Sequence, residues 1–560
     1  MKSWLIPLAT LALSSTAVAQ EPGDRAALLG GLQAIANPGG ALPGEVLAFG
    51  ERAFVLASAG KGDTARGVMA ATRAGRGRAV AFGHNAFLSA SPDDAERLRL
   101  LANTLAWAGD QPAEGLDVLV LGDALPALEP LFDDVDTVRE LPASFRSYDA
   151  VLWRDGDLAP DAVERLVEYV ERGGGLVFGV CPWGRQQLYG DSGRSIRTDL
   201  SHNQVAVPLG LVFGFDTAGG ASHSTDSARA EALHAGRATD TALEVLTGKL
   251  EDAAPETARL TGALVRALPK DHPLGARRLA DALADVDLAP LAPSRERPVR
   301  LTDVRARLAL TLATLAWQEA APEAVPAAPG HQHFPGEVPA RTKPVERSFA
   351  FTAIDVARRG WLSTGLYARA GEPLEVAAEN AAGWSVRIGA HTDTLWHKDE
   401  WRRWPEISSH LRLAPKGEQR LTSPFGGLVY LIPGNGSSAD ARFTIHGAIE
   451  APLFDATDPA SVAAWPRARK RARAPWAELV TDGVVISVPA PSLTHLEDPA
   501  ELAAYWTAAM ACYPELLGEP LHPRERPERL VEDVQISAGW MHSGYPAMAH
   551  GADTPEHSAA

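Results

Sequence analysis

The chain has 560 residues, 46% hydrophobic and 22% charged, a balance that builds several packed domains and excludes a disordered or fibrous polymer. Seventy acidic residues against 53 basic ones leave a net charge of -17. A surface of that sign repels phosphate backbones, so nucleic acid is not an expected partner.

The first 19 residues, MKSWLIPLATLALSSTAVA, read as an address. Lys2 precedes an apolar run of about ten residues and a small-x-small end at Ala17–Ala19. Cleavage is expected after Ala19, giving an exported chain, periplasmic or secreted. No Cys follows the cut, which argues against a lipid anchor. No later stretch approaches 18 uninterrupted apolar residues, so no transmembrane segment is expected after cleavage.

Residues 20–317 alternate strands with helices. "RGRAVAFGH", "LDVLVLGD", "YDAVLW" and "GLVFGV" are short apolar runs of the kind that fill a parallel sheet. Between them, "DDAERLRLLANTLAWAG" has helical spacing with Asp93 or Asp94 as its cap. In the next helix Val163, Leu166, Val167 and Val170 share one face. This predicts a parallel-sheet α/β domain. Cys181 ends its last strand, where a strand-to-helix turn would expose a nucleophile. The layout resembles the class I glutamine-amidotransferase (flavodoxin-like) fold. Pro182 departs from the small residue usual there, and His202, His223 and His234 sit in no partner motif. A non-catalytic relative is therefore expected, with His84 a hydrogen-bonded loop residue. The strand-end face remains where a ligand would bind. Cys181 and Cys512 are expected as two buried free thiols, although export would permit a bridge.

Residues 318–347, rich in Pro and Ala, read as a semi-stiff linker with an exposed, mobile His331-Gln332-His333. Residues 348–450 carry short alternating strands broken by Gly, Pro and Asn, the pattern of a β-sandwich or jelly roll. One loop, "AHTDTLWHKDEWRRWPEI", gathers Trp396, Trp401 and Trp404 among charged groups. Either indole faces stack on sugar rings there, or at least two indoles pack into a core. Residues 451–560 begin a further unit, with a helix capped by Asp498 and started by Pro499.

Three segments in order, "GWLSTGLYARAGEPLEV", "RIGAHTDTLWHKDEWRRWPEISSHLRLAPKGEQRLTSPFGGLVYLIPG" and "VEDVQISAGWMHSGYPAMAH", resemble the enhancin-like, mucin-targeting zinc metallopeptidases, relatives of the animal channel-associated factors. The resemblance implies a β-sandwich followed by a zincin-type α+β domain, with 451–560 its N-terminal part. It also implies zinc held by a His-Glu-x-x-His helix and a downstream Glu, with glycoproteins as substrates. None of the 16 histidines starts a His-Glu-x-x-His. No catalytic or metal-binding residue carries over, and no cofactor is expected in this chain, although the family uses zinc. His550, Glu556 and His557 make a poor alternative set. What carries over is the flank at Trp540, His542 and Tyr545, which either borders a substrate cleft or packs.

Two readings follow: a peptidase-family chain lacking its zinc half, or a finished non-catalytic glycan- or glycoprotein-binding protein. Thiol chemistry at Cys181 is a third.

Overall fold

The computed structural model describes residues 15–60, 64–189, 194–351, 353–357, 360–517 and 526–551. Most of the address segment, with Glu556 and His557, lies outside them. The chain divides into two compact units, 1–284 and 285–560.

The first unit is built on a nine-stranded sheet. Its strands in chain order are β1 (Ala34–Ala36), β3 (Ala53–Ala59), β4 (Arg66–Ala74), β5 (Gly77–Phe82), β6 (Asp117–Leu121), β7 (Asp134–Val138), β8 (Ala150–Trp153), β9 (Gly175–Gly179) and β11 (Ser222–Ser224), while β2 (Gly44–Ala48) and β10 (Leu211–Thr217) pair separately. The spatial order is β1-β11-β3-β4-β5-β9-β8-β6-β7. From β5 to β7 every pairing is parallel; from β1 to β5 every pairing is antiparallel. The expected all-parallel sheet is thus a mixed one. Its antiparallel half comes from the consecutive strands β3, β4 and β5, with a tight turn at Gly75 whose φ of +56° suits glycine, and from β11, which inserts between β1 and β3.

The parallel strands bury both faces. Leu119 and Leu121 of β6 enter one core with Trp153 and Phe178, while Val118 and Val120 enter the other with Leu152 and Val177. This is the period-2 alternation expected of a strand covered on both sides. Helix Ala95–Gly109, capped by Asp94 through the Arg97 amide, packs Leu101, Leu105 and Trp107 on the second face. Helix Pro160–Glu171 packs Val163, Leu166 and Val170 on the first.

In the second unit, β12 (Val299–Arg300) pairs with β17 (Glu400–Trp401). An antiparallel sandwich follows from β13 (Val345–Ala350), β14 (Leu362–Ala368), β15 (Leu374–Glu379), β16 (Trp384–Ile388), β18 (Ser409–Arg412), β19 (Gly417–Leu421), β20 (Gly427–Pro433) and β21 (Arg442–Glu450). β21 pairs with β13 and β15 along Arg442–Ala448 and with β14 at Ile449 and Glu450, so one strand serves two ladders. Gly447, at φ +89°, lies where the change occurs. Trp384, Val386, Leu431, Phe443 and Ile445 fill the core.

A six-stranded mixed sheet closes the chain: β22 (Leu453–Asp455), β23 (Trp476–Val480), β24 (Val484–Pro489), β25 (Glu528–Asp533), β26 (Met541–His542) and β27 (Ala547–His550), ordered β22-β23-β24-β25-β27-β26. Helix Ala500–Leu517, started as expected by the Asp498 carboxylate on the Ala500 amide, leaves Leu502, Tyr505, Tyr513 and Leu516 exposed.

Two expectations change. Helix Val304–Glu319, assigned by sequence to the first domain, belongs to the second unit, where Trp317 meets Trp404 at 5.1 Å and Arg307 donates to the Lys398 carbonyl at 2.7 Å. Residues 318–347 are packed rather than extended as a linker. Val325, Ala328, Phe334 and Val338 are buried, and the Pro329 and Pro335 carbonyls accept from the indoles of Trp404 and Trp476, each at 2.8 Å. A segment without an apolar period is held by its carbonyls. His331 is fixed too, through Nδ1 on the Ala328 carbonyl at 2.7 Å.

β25 turns Arg529, Val531 and Asp533 inward, all buried. Asp533 accepts from Arg403 Nε at 2.8 Å and Nη2 at 2.7 Å, and both side chains are fully buried. Arg529 donates to Glu478 at 2.5 Å, where Tyr430 and Ser487 also donate. Removing one partner of a buried pair strands the other charge, a loss of about 3–5 kcal/mol, whereas replacing both with apolar groups is near neutral. Arg403→Met and Asp533→Leu, each alone, should therefore cost about 3–5 kcal/mol in urea denaturation of the full chain, and the double variant much less. Additive losses would show that the pair is not the local constraint.

Candidate functional site

The densest polar constellation joins the tryptophan-rich loop, 390–408, to the segment after β25. The Gln535 side chain accepts from the Arg402 amide at 2.7 Å and donates to the Glu400 carbonyl at 2.7 Å. The Ser537 carbonyl accepts from Lys398 at 3.2 Å and from His397 Nε2 at 2.9 Å. Asp393 Oδ2 accepts from the Ser537 amide at 2.6 Å and from His542 Nε2 at 2.9 Å. His391, buried and pushed down to about 4 by desolvation, is neutral and bonds the Glu532 carbonyl at 3.1 Å.

Asp393, His542 and Ser537 have the composition of a hydrolytic triad but not its wiring. Ser537 Oγ lies 3.1 Å from the same Nε2 that Asp393 holds, and Nδ1 is on the Ser543 carbonyl at 3.0 Å. A general base needs one nitrogen free to take the serine proton while the carboxylate orients the other. Here both nitrogens face acceptors, an arrangement that favours the doubly donating, cationic form of the imidazole.

Zinc fits no better. Both His542 nitrogens are committed, and His550 has Nδ1 on the Gly551 carbonyl with its ring stacked on Trp540 at 4.9 Å. Among the described residues no three His, Cys, Asp or Glu side chains group as metal ligands. These residues do not suit the family's zinc, and no step is assigned to it.

Trp540 is two-thirds exposed, with one face on His550. Tyr545 Oη accepts from the Trp361 amide at 3.2 Å, and the Arg526 guanidinium covers its ring at 3.8 Å. Trp540, His542 and Tyr545 therefore do not converge on one cleft: two are packing and anchoring groups, and only Trp540 is open. Trp401 and Trp404 are buried, Trp401 beneath Arg307 at 4.3 Å and Trp404 against Phe425 at 5.4 Å. Neither offers a face to a sugar. Trp396 is half-buried and donates from Nε1 to Glu406 at 3.3 Å.

At the strand ends of the first unit, Cys181 is half-buried. Burial pushes its thiol up, which opposes formation of the nucleophilic thiolate. Two of the three histidines are bonded elsewhere, and the third is sealed in the core with its ring nitrogens unpaired among the described residues. His202 is fully buried against Trp153 at 3.7 Å and held neutral by desolvation, His223 bonds Asn37, and His234 caps a helix through the Arg237 amide. His84 caps Asn85–Leu88 through the Ala86 amide, as a loop histidine would. The crevice between β6 and β8, where connections leave in opposite directions, is bridged by Arg154, which donates to the Leu88 carbonyl at 3.0 Å, Ser89 Oγ at 2.9 Å and the Ala124 carbonyl at 3.1 Å. Both cysteines are free, and Cys512, expected as buried, is exposed because its helix face carries no cover among the described residues.

Residues 343–446 match the family model for the N-terminal domain of M60-like peptidases, and 447–558 match peptidase M60, enhancin and enhancin-like. Residues 343–558 belong to the enhancin-like M60 peptidase family. Residues 5–223 match a model described as the TRPM8 N-terminal domain. TRPM8 channel-associated factor 2 of Bos taurus is 30% identical over 549 residues, 94% of this chain and 57% of that protein. Its Homo sapiens counterpart is 41% identical over 194 residues, 34% of this chain and 21% of that protein. The chain thus spans little more than half the length of the curated relatives it matches end to end. Among solved structures, the IMPa metallopeptidase of Pseudomonas aeruginosa aligns with 97% of this chain and 70% of its own, at 16% identity and a TM-score of 0.42.

Sequence reasoning found the enhancin-like region but missed its internal clasp. The signal was present: Asp393, Arg403, Asp533 and His542 are complementary charges on two of the three segments that carry the resemblance.

The hydrogen bond to Asp393, then that to the Ser543 carbonyl, raises His542 above its ordinary value. Burial opposes ionisation of Asp393, but bonds from His542 and Ser537 outweigh it and hold the carboxyl below its usual range. The histidine contribution is complete below about pH 6.5 and fades as pH rises through the raised value; the aspartate contribution is present above about pH 4 and fades below it. The thermal-stability deficit of His542→Gln should be greatest between about pH 4 and 6.5 and shrink toward about pH 9. A deficit flat across that range would refute the charged pair.

Proposed function

We propose that this chain is a glycoprotein-engaging part of an enhancin-like peptidase, acting on mucin-type targets by binding and not, by itself, by hydrolysis. The observation that carries it is the pairing of a contiguous enhancin-like match over 343–558 with the lack of a His-Glu-x-x-His anywhere in the 560 residues. The triad-like and strand-end sites supply no replacement chemistry, since both His542 nitrogens are bonded and burial raises the Cys181 thiol. Glycoproteins enter through the family, and export enters with them, because such targets are extracellular. No described helix is long and apolar enough to cross a membrane.

A second reading rests on helix Ala500–Leu517. Its exposed Leu502, Tyr505, Tyr513 and Leu516 form an apolar face of the kind that further polypeptide covers. That polypeptide would bring the zinc-binding half of the peptidase fold.

Immobilised full chain should retain a mucin-type O-glycoprotein without cleaving it, with or without added zinc. New fragments in a zinc-supplemented digest, or no retention at all, would overturn the first reading. For the second, limited proteolysis should cut beyond about residue 450 before the sandwich; a fully resistant C-terminal region would count against it.

A further inference from the structure

Trp317 sits in the last turn of Val304–Glu319 and was not singled out by the sequence. It is half-buried and fixed: its ring meets Trp404 at 5.1 Å and Phe425 edge-on at 6.3 Å. Trp404 is in turn tied to the Pro329 carbonyl. A rigid indole therefore forms part of the wall of a groove of about 410 Å³ on the second unit. The rest of the lining includes polar side chains of several kinds, among them Gln318, Glu406, Ser409, His410 and Thr422. The Glu406 carboxylate is oriented by Trp396, whose Nε1 donates to Oε2 at 3.3 Å.

We propose that this groove binds a neutral saccharide, which places the glycan contact of the function proposed above at Trp317 rather than at Trp401 and Trp404. A pyranose ring has an apolar C–H face and a rim of hydroxyls. The aromatic face, negative at its centre, attracts the C–H face, while amide, hydroxyl, imidazole and carboxylate groups serve the rim. The volume falls in the ordinary range for small-ligand sites, roughly 300–1,000 Å³. Among the described residues no lysine or arginine lines the groove. An anionic sugar would meet the Glu406 carboxylate in the lining, while the nearby Arg387 guanidinium is desolvated and turned to the Gly389 and His391 carbonyls, so sialylated or sulfated glycans are disfavoured. Another groove of the second unit, along helix Pro459–Arg471, is by contrast lined by Arg347, Arg467 and Arg471. The buried Trp404 and half-buried Trp396 then act as supports, one beneath the platform and one behind Glu406.

The test is a binding titration of full-length chain, followed by tryptophan fluorescence and calorimetry. Its probe is an O-glycopeptide bearing one neutral disaccharide. The unglycosylated peptide and a sialylated form serve as comparison probes. Wild type should bind the neutral glycopeptide at least tenfold more tightly than either. Gln318→Ala, at an exposed position, and Glu406→Gln, at a half-buried one, should each weaken that binding severalfold, and Trp317→Ala should abolish it. Trp317→Phe keeps an aromatic platform and should retain partial binding, which covers the case in which Trp317→Ala unfolds locally. Equal binding by wild type and all four variants overturns the groove while leaving glycoprotein binding intact. Equal binding of glycosylated and bare peptide shows a peptide site and overturns the saccharide assignment. Failure to bind the neutral glycopeptide overturns the groove, and the retention experiment on whole glycoprotein decides separately whether the broader reading also falls.

Discussion

The second unit depends on one buried ion pair, Arg403 with Asp533. Two charges without solvent exposure are tolerated only when their hydrogen-bonding capacity is met. Here Arg403 also donates to the Trp404 carbonyl at 2.8 Å and to the Asp393 carbonyl at 3.2 Å, and Asp533 also accepts from the Gln535 amide at 3.0 Å. The guanidinium thus fixes its own loop while gripping the strand. With the loop fixed, Asp393 is set for Ser537 and His542, and Trp404 is set under Trp317. The two matched stretches, 343–446 and 447–558, are consequently one physical object: the loop from the first acquires its shape from the strand of the second.

That arrangement moves the open surfaces away from the residues that looked most like a site. A run rich in Trp, His and Tyr invites a catalytic reading, yet its histidine is saturated and its tyrosine is pinned under Arg526. Surfaces left available are the Trp317 groove, the Arg-lined groove beside Pro459–Arg471 and the apolar face of Ala500–Leu517. The same economy holds in the first unit, where Arg154 occupies the crevice that an open parallel sheet would offer a ligand.

Legibility followed the physics of each signal. The strands β6, β8 and β9 were readable because a strand buried on both faces must be apolar throughout. The helices 95–109 and 160–171 were readable from their period, the first also from its cap. β3 and β4 escaped because alanine-rich segments such as Arg66–Ala74 carry little contrast between faces. β25 escaped for a different reason. "ERLVED" is mostly charged, and its burial of Arg529 and Asp533 depends on partners 51 and 130 residues away in sequence, which no local window contains. Residues 318–347 looked like a linker because composition reports side chains, whereas that segment is held through carbonyl groups accepting from distant indoles. The burial of Trp401 and Trp404 was one of two readings that composition allowed, and only the position of Arg307 and Pro329 decides between them.

β21 has a mechanical consequence. Because it lies between β13 and β15 for most of its length and then joins β14, the sandwich halves share a member, and the chain passes from that member directly into β22. Tension applied from the C-terminal side enters along the strand axis, in shear, and loads several rows of hydrogen bonds at once instead of peeling them singly. Such a load is carried by a strand that pairs with three others.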